Sequence, residues 1–322
     1  MIHWKLFIGD TEAQPIHYNN IIYITGYKNL LAINLQGIIL WEYKTDEEIL
    51  CKPNIENNYI YFGDLNGLIY KLDISEPEDK FKYRLVWCLK LGDPLFSSPT
   101  IYKNNLYIGC DDNNLYKINI IGEQKENQRL VWKYKTDNEI YSNAVLYNDF
   151  IYFSSSDTFL YCLDINSNLK WKYSINGDLI TEPLIFKNNI YIGTSDGNII
   201  LLNLNGEVIK SININYCIVH KPFSINDRIY IISFLGIIYC FDLTLTELWN
   251  FNCDKNLIDS NIYNDNIYIL DNTGGIYILN SIDGTLIKSD TLLHKILLSR
   301  PIIINNNILI KDYKGYIYFI SF

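Results

Sequence analysis

Short apolar runs alternate with polar turns along the whole chain, and one phrase returns eight times. Its clearest copy is EPLIFKNNIYIGTSDGNIILLN at 182–203. With Pro183 as its anchor, the other copies start at Pro15, Pro53, Pro99, Ala144, Pro222, Ser260 and Pro301. Repetition at intervals of 38 to 46 residues marks a repeat architecture. Each copy predicts the same elements. A short strand leads to a two-residue polar turn: Asn19-Asn20, Asn57-Asn58, Lys103-Asn104, Asn148-Asp149, Lys187-Asn188, Asn226-Asp227, Asn264-Asp265 and Asn305-Asn306. Asn and Asp tolerate the positive φ that a type I′ hairpin requires at both positions.

Eight residues past the anchor stand Tyr23, Tyr61, Tyr107, Tyr152, Tyr191, Tyr230, Tyr268 and, in the last copy, Leu309. Their runs, such as IYIG and IYFG, read as buried strands. A polar turn and a third strand follow, ending on an Asx-turn residue such as Asn34, Asp73, Asn119, Asp164, Asn203, Asp242 or Asn280. A fourth strand carries a large closing residue in the series Trp41, Trp87, Trp132, Trp171, Lys210, Trp249 and Lys288. The last copy stops at Phe322 without a fourth strand, while Ile2–Ile8 carries Trp4 ahead of any full copy. The N-terminal strand therefore completes the last blade and closes the array, which protects the edges an open array would expose. The expected fold is all-β: one domain over 1–322, an eight-bladed β-propeller of four-stranded antiparallel blades. The blades span about 12–43, 50–89, 96–134, 140–173, 179–211, 218–251, 257–289, and 297–322 plus 2–8.

Composition narrows the partners. A formal charge of −9 argues against a nucleic-acid backbone or an anionic membrane. No apolar run is long enough to span a bilayer. MIHWKLFIGD lacks the basic-then-apolar layout of an export signal, so a cytoplasmic location is expected. The seven cysteines are odd in number and include no CxxC or adjacent pair, which fits a reducing compartment and disfavours a disulfide framework or a zinc site. Asp111-Asp112-Asn113-Asn114 and Asp196-Gly197-Asn198 lack an alternating calcium loop and read as turns. His3, His17, His220 and His294 fall at unrelated repeat positions, and no catalytic motif appears. No catalytic residue, metal site or cofactor is expected.

Two surfaces stand out. The residue before each anchor is polar in every copy: Gln14, Lys52, Ser98, Asn143, Glu182, Lys221, Asp259 and Arg300. These predict a polar ring at the mouth of the central channel. Its last four members alternate in sign, so neutralisation between neighbouring blades is the favoured reading and a ligand or peptide pocket the second. The long third-to-fourth-strand connections at 75–86 and 120–131 form the other surface, a predicted rim. There Lys80, Phe81, Lys82, Tyr83, Arg84 and Arg129 mix charge with aromatics, as protein interfaces do.

Ser97-Ser98-Pro99, the YIG runs, the Gly/Asp turns, the LYxL-Asp/Asn ends and the closing Trp together resemble the PQQ-like propeller repeats. These are the tryptophan-docking repeats of quinoprotein dehydrogenases and of BamB-type assembly scaffolds, and the resemblance covers nearly the whole chain. It implies that Trp4, Trp41, Trp87, Trp132, Trp171 and Trp249 dock neighbouring blades. Lys210 and Lys288 depart from the pattern, which implies looser joints after blades five and seven. Quinone enzymes of this kind typically have a longer chain, an adjacent-cysteine disulfide and calcium ligands. The expected function is therefore a non-enzymatic scaffold that binds another protein or peptide. A PQQ-dependent oxidoreductase is the second reading, and a small-ligand sensor using the channel mouth the third. The oligomeric state is open.

Overall fold

All eight two-residue turns are left-handed at both positions, with φ running from 46° at Lys103 to 64° at Asp149. That geometry matches the right-handed twist of the flanking strands. It suits Asn and Asp, but two turns begin with Lys103 (φ 46°) and Lys187 (φ 49°), which favour that region less, and the Lys187–Asp227 ion pair at 2.6 Å is exposed and so contributes little. Lys103→Asn and Lys187→Asn should each stabilise the chain by about 0.5 kcal/mol. A higher urea midpoint at unchanged slope is the expected result, and an unchanged or lower midpoint would contradict it.

The computed structural model describes residues 1–9, 13–80, 82–123, 125–175, 181–292 and 300–321. The fold is an eight-bladed β-propeller of four-stranded antiparallel sheets. Among the described residues it contains no α-helix, only the 3₁₀ turn Glu126–Gln128. The sheets follow the repeat in order, as in Leu184–Phe186, Asn189–Gly193, Asn198–Asn203 and Val208–Asn213 of blade five. In the last sheet the outer strand is Ile2–Phe7, paired antiparallel with Tyr316–Ser321. The N-terminal strand thus completes the last blade, as expected.

By packing, the chain forms two compact units, Met1–Ala144 with Ile304–Phe322, and Val145–Ile303. Each has the same internal logic. Second strands are buried on both faces, as at Ile21–Thr25, so they read as unbroken apolar runs rather than alternating ones. The repeated Tyr is buried in all seven blades that carry it. In five blades it packs against the closing Trp of the same blade, from Tyr23–Trp41 at 5.8 Å between ring centres to Tyr61–Trp87 at 6.2 Å. Asn34, Asp164, Asn203 and Asp242 each accept two backbone N–H bonds from the following turn, the Asx closure that their position predicted.

Candidate functional site

Every anchor residue is buried, while the polar residue before it is half-buried or exposed. In the first unit these polar groups connect one blade to the next. The Lys52 N–H donates to Ser98 Oγ at 3.1 Å, and the Ser98 N–H donates to Asn143 Oδ1 at 2.6 Å. Gln14 is half-buried and also has a partner. In the second unit the Lys221 ammonium pairs with Glu182, and Arg300 Nε lies 3.9 Å from Asp259 Oδ1 while donating to Ser260 O at 2.6 Å. The charges that alternate in the sequence therefore neutralise each other between neighbouring blades of this unit. The residue after the anchor adds further bonds, with Asn54, Thr100 and Asn261 donating to the anchor carbonyls of Pro99, Ala144 and Pro301.

The outer strands carry a second set of joints. Nε1 of Trp4, Trp171 and Trp249 donates to Leu35 O, Leu204 O and Ile282 O of the next blade at 2.9–3.0 Å. Each indole lies over a turn glycine, because a Cβ on Gly37, Gly206 or Gly284 would come within 2.6–2.7 Å of it. Lys210 corrects the expectation of a looser joint after blade five. Its ammonium donates to Leu245 O at 2.9 Å, and buried Leu245 occupies the turn position that Gly37, Gly206 and Gly284 hold in their blades. A lysine–leucine pair stands in for a tryptophan–glycine pair. Lys288 lies on the fully exposed strand Leu286–Thr291.

The long connections use a third arrangement. The Arg84 guanidinium stacks on Trp41 at 4.3 Å, and Arg129 on Trp87 at 4.9 Å. Arg84 also donates to the carbonyls of Asp73, Ser75, Glu76 and Asp79. Both arginines are buried, 5% and 4% exposed, so they lie at blade joints rather than on the open rim where the sequence placed them. Lys82 is also occupied, at 3.0 Å from Asp73. Burial opposes ionisation of Asp73, but bonds from Ser75 and Lys82 outweigh it and lower the carboxyl's pKa. Lys80 and Tyr83 remain open, Tyr83 at 79% exposure, and Phe81 lies outside the described residues. Exposed Val86 on this blade, and Ile121, Leu130 and Val131 on the next, add apolar surface.

With these joints in view, the comparisons are decisive for family. A family model described as outer membrane protein assembly factor BamB matches residues 4–212 and 120–290. The chain belongs to the BamB family. BamB from Moraxella catarrhalis shares 16% identity at a TM-score of 0.79, covering 100% of this chain and 97% of that one. The computationally designed Ika8 protein matches at TM-score 0.82 and 11% identity, over 98% of this chain and 97% of that one. Saccharomyces cerevisiae Sqt1 does so at 0.83 and 10%, over 99% and 97%. Likeness at such identities is one of fold. No curated protein matches the chain.

Other chemistry in this BamB-family chain is absorbed by structure. Asp64 Oδ1 accepts two turn N–H bonds while Oδ2 accepts from Tyr70 at 2.8 Å, and Asp312 repeats this with Tyr318. The same Asp-to-Tyr contact recurs in Asp112–Tyr116 and Asp157–Tyr161. The acidic turns are thus fold elements, and the recurring Asp–Tyr spacing was the signal for them. Burial raises the thiol pKa of Cys51, Cys110, Cys162 and Cys253 to about 12, which removes them as nucleophiles near neutral pH. All seven cysteines are free. His220 sits beside Asp259 and Arg300 with its pKa lowered by burial. Among the described residues, no His/Cys/Asp/Glu cluster is placed to hold a metal, and no helix is long and apolar enough to cross a membrane.

Proposed function

We propose that the chain is a non-enzymatic scaffold that binds another protein through the open rim of blades two and three. One observation carries this reading. Buried Arg84 clamps Ser75, Glu76 and Asp79 of the long connection by their carbonyls, yet its neighbour Tyr83 is offered to solvent at 79% exposure. A large aromatic on a pre-ordered backbone is the kind of anchor that dominates protein interfaces. Membership of the BamB family supports the same class of role. The channel-mouth sensor has less support, because most of its polar groups already bond to one another. The free cysteines support a reducing, cytoplasmic setting, which cell fractionation would test.

The discriminating variant is Lys80→Glu with Tyr83→Ala, both at open positions. Quantitative pull-downs from the native cell should lose a partner by about tenfold or more, while melting stays unchanged. Equal recovery of the same proteins would refute the rim. Pyrroloquinoline quinone with calcium should change neither the absorbance spectrum nor the melting temperature. A saturable shift would favour the oxidoreductase instead.

A further inference from the structure

The first unit contains a cleft of about 390 Å³ that no repeat position announces. Its walls are the two-residue turns of the first and last blades, through Asn19, Asn20 and Asn305, and the Asx turn of the first blade, through Gln36. Pro77 and Glu78 of the long connection complete it. Each wall is held independently. The hairpin turns are fixed in the left-handed region, Asn34 Oδ1 closes the Asx turn, and Arg84 ties down the connection by donating to Glu76 O and Asp79 O. A site built from pinned backbone loses little entropy when it binds.

The lining selects the ligand. Glu78 is the only charged residue in it, and side-chain amides supply most of the remaining polar groups. No lining residue is basic, which disfavours phosphates and carboxylates. No lining residue is aromatic, so a sugar ring or a base has nothing to stack on. A single carboxylate is too few for calcium, which takes six to eight oxygens with several carboxylates among them. A guanidinium fits best. Its planar fork of five N–H donors suits a lining with one carboxylate and several side-chain amides, whereas an ammonium has three donors at one point.

We propose that this cleft receives an arginine side chain from an extended segment of the partner protein. The inference rests on the scaffold reading, and it adds a chemical requirement to it: the partner's docking segment carries an arginine that reaches the cleft beside the rim. The chain's charge of −9 favours the approach of such a segment.

The test uses the full chain and the capped tripeptide acetyl-Gly-Arg-Gly-amide, with its citrulline and lysine counterparts, followed by the side-chain amide NMR signals of Asn20 and Asn305. The arginine peptide should bind in the low millimolar range, the lysine peptide more weakly, and the neutral citrulline peptide about tenfold more weakly. Glu78→Gln should weaken the arginine peptide by about tenfold, and added salt should weaken it too. Glu78 is exposed, so the variant should fold, which circular dichroism checks. Equal affinity for the arginine and citrulline peptides, an unchanged affinity in Glu78→Gln, or no saturation by about 20 mM would each overturn the assignment. A rim-dependent partner found in the pull-down would still stand after such a failure, so the two readings fail separately.

Discussion

Trp171→Lys should destabilise the chain by about 2–3 kcal/mol, and Gly206→Leu by a similar amount. The double variant should nevertheless fall short of the summed loss by about 2 kcal/mol. The reason lies at the next joint of the same unit. Trp171 covers Gly206, where a Cβ would stand 2.6 Å from an indole carbon, and its Nε1 bonds to Leu204 O at 2.9 Å. One blade later, Lys210 donates to Leu245 O at 2.9 Å, with Leu245 buried at φ 56°. That leucine shows that the turn accepts a side chain in the left-handed region once no indole lies above it. Lysine alone at 171 leaves a void over the glycine, and leucine alone at 206 collides with the indole. Together they recreate the pair found at 210 and 245. A urea double-mutant cycle with both singles and the double measures the coupling. Additivity within about 0.5 kcal/mol would show that the two pairs are not interchangeable.

This exchange also marks how far the chain could be read as sequence. Blade number, strand order and the left-handed turns were legible because each is a local pattern repeated eight times, and the closing N-terminal strand because the last copy lacks the fourth strand that the others have. The joint at Lys210 was not. A lysine in a tryptophan column looks like a loss until Leu245, 35 residues later, is seen to fill the same space. The polar series was half legible. Alternating signs implied pairing, and Glu182 with Lys221 bears this out, but the serine and asparagine links of the first unit depend on backbone N–H groups that no side-chain pattern reveals. The rim misled in a different way. A mixed-charge connection does not indicate which basic residue turns inward, and here Arg84 does while Lys80 does not. The cleft left no local signal, since Asn20 and Asn305 meet only through the fold and each reads as an ordinary hairpin turn.

Arg84→Ala should cost about 3 kcal/mol and, unlike a surface charge deletion, should loosen the rim selectively. Arg84 sits on the Trp41 face at 4.3 Å and bonds to four carbonyls, the shortest to Asp79 O at 2.7 Å. Alanine removes the stacked plane and leaves those partly buried carbonyls with fewer donors. Lysine should recover less than half of the loss, because a point charge cannot stack and reach several acceptors along the connection at once. Amide hydrogen exchange across 74–80 should accelerate in both variants, while the blade-five strand Asn189–Gly193 should exchange as before. Glu78 is intact in these proteins, so any weakening of the arginine peptide must come from movement of the cleft wall rather than loss of its charge. Wild-type exchange at 74–80, with stability within about 0.5 kcal/mol of wild type, would mean that the connection holds its shape without Arg84. The rim would then owe its order to Lys82 and Asp73, which sit 3.0 Å apart, and the place to cut it loose would be that ion pair.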